Sequence, residues 1–147
     1  MRNFLIGLVL LFTISSCSTT KSLYYWGGGQ SQATKYEALA YLNYDKQTPK
    51  SLCLLVCMYE DLMKKPGGLR QVPPPGICSE YGYLLLLPET SEIFIKNATA
   101  AQKRSFLRSD FAQYFPEYGM ILLNKEMEFY PESARFLKPL IEKIRKR

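Results

Sequence analysis

The chain has 147 residues, a formal charge of +6 from 19 Lys and Arg against 13 Asp and Glu, and no histidine. That length suits one domain with a modest core. The missing histidine excludes Ser-His-Asp and Cys-His catalytic pairs and the H-E-x-x-H zinc site, and it removes the commonest metal ligand.

The chain opens MRNFLIGLVLLFTISSC. Arg2 gives a positive start, Phe4 to Ile14 is an apolar run broken only by Gly7 and Thr13, and small polar residues follow. A membrane-crossing helix needs about 20 apolar residues, so the pattern predicts an export signal over residues 1–16. Its exit, Ile14-Ser15-Ser16-Cys17, resembles the bacterial lipobox. The resemblance implies cleavage before Cys17, a diacylglycerol on its thiol and acylation of the new amino group, and several acyl chains together anchor stably. Ordinary secretion with Cys17 incidental is the alternative.

Residues 17–32 read as a lipidated tether. Ser18 to Lys21 is a polar spacer, and Tyr24, Tyr25 and Trp26 carry the amphipathic rings favoured at a membrane interface. Gly27 to Gly29 offer a freely turning joint. The same aromatics equally suit docking on the protein's own helices. A phosphate-cradling loop is not supported, because neither G-x-x-x-x-G-K-[ST] nor G-x-G-x-x-G can be drawn here.

Residues 33–147 then read as a helical domain. Ala33 to Asn43 places Tyr36, Leu39, Ala40 and Asn43 on one side of a first helix. Thr48-Pro49 is an N-cap followed by proline at the first helical position. Leu52, Leu55, Val56, Tyr59, Leu62 and Met63 recur at three and four, and Lys64 to Gly68 close the second helix with cations and breakers. Val72 to Gly76, VPPPG, is a stiff polyproline connector. Ile77 to Leu87 is apolar nearly throughout and fits a buried strand or a buried helix. Pro88 to Lys96 reads as a loop with a short extended piece at Ile93 to Ile95. Asn97 is placed as the cap of a helix from Ala98 to Phe115, with Leu107, Phe111, Tyr114 and Phe115 inward and Lys103, Arg104 and Arg108 outward, ended by Pro116.

Cys53, Cys57 and Cys78 remain once Cys17 is set aside. Cys53 and Cys57 share a helix face in a C-x-x-x-C spacing. A disulfide from Cys78 to one of them, joining the second helix to the third, is one reading; buried free thiols are the other. Asp45, Asp61 and Asp110 make no calcium-loop pattern, and Glu60-Asp61 and Glu126 with Glu128 are spaced so that they do not face each other on a helix. No catalytic residue, cofactor or metal ligand set is predicted. Lys138, Lys143, Arg145, Lys146 and Arg147 crowd the tail; for an exported chain this is a solvated helix end or a contact for anionic lipid rather than a nucleic-acid patch.

Two segments, Gly82 to Leu86 (GYLLL) and Glu117 to Ser133 (EYGMILLNKEMEFYPES), resemble the two helices of a degenerate tetratricopeptide-type hairpin. Gly82 and Gly119 stand where the repeat has small residues, Leu123 where it has a large one and Pro131 where it terminates, and an insertion near residues 88–116 separates the halves. With YYWG near the anchor, TPK, VPPPG and FYPES in that order, the chain resembles the bacterial lipoproteins grouped as domain-of-unknown-function family 4810. The resemblance implies a non-enzymatic accessory subunit of the envelope, and with the helical periodicity and the lipobox the expectation is an all-α domain lipid-anchored at the periplasmic face of the outer membrane. Its implied partners are a CsgG-like secretion lipoprotein and a second small lipoprotein, with no nucleic acid. Ser18 after the cysteine, where enteric inner-membrane lipoproteins carry aspartate, favours the outer membrane. The rivals are an envelope enzyme acting on peptidoglycan through glutamates or on thiols through Cys53 and Cys57, and a binder of the peptidoglycan polymer.

Overall fold

Thr34 opens the first helix: its hydroxyl accepts from Glu37 N while the Glu37 carboxylate accepts from Thr34 N at 2.7 Å, a reciprocal capping box. The computed structural model describes residues 21–28 and 33–146, and in it α1 spans Lys35–Lys46 and α2 Pro49–Lys64. Only Gln47, left-handed at φ 47°, and Thr48 separate them. Thr48 caps α2 with Ser51, and Pro49 takes the first helical position as expected. Ser51 Oγ also donates to Asn43 Oδ1 at 2.9 Å, which pins the end of α1 to the start of α2. Tyr36, Leu39, Ala40 and Asn43 are half-buried, so the inward side of α1 is the predicted one.

α3 (Ile77–Leu86) settles the Ile77–Leu87 ambiguity as a buried helix. Several expectations downstream are corrected. The Pro88–Lys96 loop is a helix, α4 (Pro88–Asn97), opened by Pro88 at its first position, and Ile93 to Ile95 are helical rather than extended. The single helix from Ala98 to Phe115 is divided: Thr99, not Asn97, caps a short α5 (Ala100–Arg104) through a box with Gln102, and a turn over residues 105–110 follows. Leu107, expected inward, lies in that turn and is 92% exposed. Pro116 does not end a helix; it sits inside α6 (Phe111–Phe129), where the carbonyl that would have received its N–H belongs to the exposed residue Ala112. A 3₁₀ turn, Pro131–Ser133, leads into α7 (Ala134–Arg145). The described residues contain no strand, and the protein is all-α.

The core lies among α2, α3, α4 and α6. α3 packs most extensively along α6, α1 rests on α2, and α4 bridges α2 and α6. The segment read as an insertion therefore supplies core: Phe94 of α4, Phe106, Phe111 and Phe115 form one aromatic cluster with centroids 5.1–5.7 Å apart. α7 buries Leu137 and Ile141 in a second cluster with Leu123. Its Lys138, Lys143, Arg145 and Lys146 are exposed, as both a solvated helix end and a contact for anionic lipid require, and Arg147 lies outside the described residues.

Candidate functional site

The segment after the predicted anchor is docked on the domain. Leu69 N donates to Ser22 O and Arg70 N to Leu23 O, both at 3.1 Å, so residues 22–23 run alongside the turn that follows α2. Gly67 and Gly68 make this approach possible. A Cβ on Gly68 would stand 2.6 Å from the Leu23 carbonyl oxygen, and one on Gly67 2.9 Å from Tyr25 Cβ. Further along, Lys35 N donates to Gly27 O at 3.0 Å and Tyr36 N to Trp26 O at 3.2 Å, which joins the segment to the first turn of α1.

Of the two readings of the aromatics, Trp26 and Tyr24 follow the self-docked one. Trp26 packs on Tyr36 with centroids 5.2 Å apart, and Tyr24 meets Tyr130 edge-on at 6.3 Å while Arg70 lies over its ring. Tyr25 remains exposed. Gly27 is buried at φ 72° against Lys35 and Leu62, so the expectation of a free joint there is corrected. Cys17, Ser18 and residues 29–32 lie outside the described residues.

The helix-packing residues are brought together. A Cβ on Gly82 would stand 2.8 Å from Gly119 O, and one on Gly119 2.7 Å from Gly82 O, so the two backbones touch where α3 crosses α6. Leu123 is fully buried beside Gly82, and Pro131 opens the turn directly after α6. The connection between the two helices runs through α4 and α5.

Cys53, Cys57 and Cys78 are free thiols, and Cys78 Sγ lies 3.6 Å from Met63 Sδ rather than against a second cysteine, so the structure takes the free-thiol reading. Burial pushes Cys57 up to about 11 and Cys78 up to about 12, which keeps both as poorly nucleophilic thiols. The buried glutamates are occupied by the fold. Glu60 accepts from Tyr81 Oη at 3.0 Å and pairs with Lys64 at 3.1 Å. Glu126 accepts from Gly76 N and Ser79 N at 2.8 and 3.3 Å, a carboxylate set at the N-terminus of α3. Glu80, exposed, accepts from both Tyr36 and Tyr59 hydroxyls at 2.8 Å. Among the described residues no three His, Cys, Asp or Glu gather where a metal ion would sit.

Sequence reading missed that these tyrosines form a ladder. Trp26, Tyr36, Tyr59, Tyr81, Tyr118 and Tyr114 follow one another at centroid distances of 5.2, 6.2, 5.3, 6.0 and 5.2 Å, from the docked segment to α6. Burial raises Tyr36 and Tyr114 to about 12 and Tyr59, Tyr81 and Tyr118 higher still, from an ordinary value of 10.0. A raised folded pKa confers stability that is complete below the unfolded value and lost as pH climbs above it, because the unfolded chain then sheds protons the fold retains. Chemical denaturation followed between pH 9 and 12 should therefore give a steeply falling stability above about pH 10. Each fully shielded tyrosine adds a slope of about 1.4 kcal/mol per pH unit. Tyr59→Phe, which leaves Glu80 its bond from Tyr36, should flatten the fall by that amount; an unchanged slope would contradict the assignment.

No family model matches the chain, and neither a curated protein nor a solved structure is significantly similar to it.

Proposed function

We propose that the protein is a lipid-anchored lipoprotein of the bacterial envelope, held at the periplasmic face of the outer membrane by acyl groups on Cys17, and that it acts as a non-enzymatic accessory subunit. The observation that carries this reading is the Ile14-Ser15-Ser16-Cys17 exit of an apolar leader, five positions before Ser22, whose carbonyl is bonded to the fold at Leu69. Supporting it, the buried glutamates are engaged in holding helices together and the cysteines are shielded thiols. Tyr41 and Tyr44 stand exposed on α1, and Tyr44 borders an open groove of about 610 Å³ with Leu52, Leu84, Leu87 and Ile93. Exposed aromatics beside an apolar groove are the equipment of a protein contact. The resemblance in motif order to family 4810 points to a CsgG-like lipoprotein and a second small lipoprotein as the partners.

Intact mass of the mature protein tests the anchor. The N-terminal residue is expected to be Cys17 bearing acyl mass, and Cys17→Ser should leave the precursor unprocessed. Crosslinked pull-down from intact envelopes tests the partner. A CsgG-like protein should be recovered, and its loss on replacing Tyr44 by alanine would place the contact on α1. Loss of a cellular phenotype in a stably folded Cys53→Ser or Glu80→Gln variant would instead favour the enzymatic rival.

A further inference from the structure

We propose that the edge formed by Leu23, Tyr25 and Leu69 is a bilayer-docking face, which seats the domain on the anionic phospholipid surface that carries its anchor; this rests on the acylation of Cys17. The argument begins with reach. Ser22 lies five residue steps beyond Cys17, and an extended chain gains about 3.3–3.6 Å per step, so Ser22 can stand no further than roughly 17 Å from the lipidated residue. A folded chain of this size has a radius of gyration of about 14 Å and hence a width well beyond that tether. Because Ser22 and Leu23 are bonded to Leu69 and Arg70, the tether cannot be lengthened without breaking those bonds. The tether therefore keeps the edge around Ser22 on the half of the domain that faces the bilayer.

That edge has the composition such a position requires. Leu23, Tyr25 and Leu69 are 52%, 42% and 61% exposed, and they are held together by the paired backbones of residues 22–23 and 69–70 and by the contact of Tyr25 with Gly67. Nothing among the described residues covers them. Aliphatic and tyrosyl side chains on a rigid edge suit the headgroup boundary, where an apolar body and a polar tip are both satisfied. The charges in the same chain stretches are basic: Lys21 and Arg70 are exposed, and Lys65 precedes Gly67 by two residues. Asp61, in the last turn of α2, faces Lys35 at 3.5 Å and Lys65 at 3.4 Å. Cations around an apolar patch match the negative surface of anionic lipid.

The test uses the mature lipoprotein, purified from envelopes, its acyl mass verified, and reconstituted into phosphatidylglycerol-containing vesicles whose acyl chains carry bromine. Leu69→Trp adds an indole at the edge, and Tyr44→Trp adds one on the far end of α1; the Trp26 signal of the unsubstituted protein is subtracted from both. Quenching of the indole at position 69 several-fold above that at position 44, with a blue-shifted emission, is expected, and Arg70→Glu in the Leu69→Trp background should reduce it. Equal quenching at the two positions in acylated protein overturns the docking face while leaving the anchor intact. Absence of acyl mass overturns the anchor itself and the docking face with it.

Discussion

Replacing Phe94 by alanine is expected to destabilise the protein by about 3–5 kcal/mol, the range for emptying a buried aromatic site. Phe94 is fully buried and makes ring contacts with Phe106, Phe111 and Phe115 at 5.1–5.2 Å, so the cavity would open where α4, the 105–110 turn and α6 converge. Three neighbouring rings already fill the surrounding space and cannot all move inward, which places the cost at the upper part of that range. Against a typical domain stability of about 5–15 kcal/mol this is a large fraction. Ile95→Ala, on the exposed side of the same helix, should change stability by no more than about 0.5 kcal/mol. Urea or thermal unfolding measures both. Two equal, small effects would show that α4 is not part of the core.

The second large effect is expected at the α3–α6 crossing. Gly119→Ala should cost about 2 kcal/mol, because its new methyl would stand 2.7 Å from a backbone oxygen and 2.9 Å from Leu86 Cγ, and a helix backbone cannot rotate aside as a side chain can. Alanine's better helix propensity offsets about 1 kcal/mol of the clash, so the net figure already includes that gain. Gly82→Ala meets Gly119 O at 2.8 Å and should behave alike. The double variant should cost less than the two added together, since one separation of the helices makes room for both methyl groups. Gly28→Ala, whose methyl would meet only Tyr25 Oη at 3.7 Å, is the control expected to be near neutral. Wild-type stability in Gly119→Ala would contradict the close crossing.

Which elements could be read in advance follows from where their signals reside. α2 was legible throughout because cap, N1 proline, apolar spacing and terminal breakers are all local and all agree. α4 was not. Its buried face is Thr90, Ser91 and Phe94, two of them polar, so it has no apolar stripe, and the β-branched pair around Phe94 suggests a strand that tertiary packing overrides. The turn at residues 105–110 contains neither glycine nor proline. It is made by Ser105 Oγ donating to Gln102 O at 2.6 Å, by Lys64 donating to the Ser105 carbonyl, and by Arg108 pairing with Asp110, of which the second joins residues 41 apart. Proline does not end the helix at Pro116, where the residue whose carbonyl loses its partner, Ala112, is exposed.

The candidate site divides in the same way. Gly82, Gly119, Leu123 and Pro131 were legible as packing positions, and the structure brings the first three into contact. The aromatics at Tyr24 to Trp26 were legible as adhesive but not their receiver, because Gly67 and Gly68 read only as the stop signal of α2. Leu69 and Arg70, which follow that signal, carry no periodicity that would single them out.

The route between the two crossing glycines also bears on the order of folding. An ordinary helical hairpin closes a short turn and can pair early. Here the partners are separated by two helices and a turn, and bringing chain ends together over such a span costs about 1 kcal/mol more entropy than over a short connection. Contacts of Phe94 and Phe106 with Phe111 and Phe115 at the head of α6 shorten that span. A nucleus at the aromatic knot would make late zippering of α3 onto α6 favourable, and its expected signature is refolding that slows in Phe94→Ala more than in Gly119→Ala for the same loss of stability; equal slowing would contradict it.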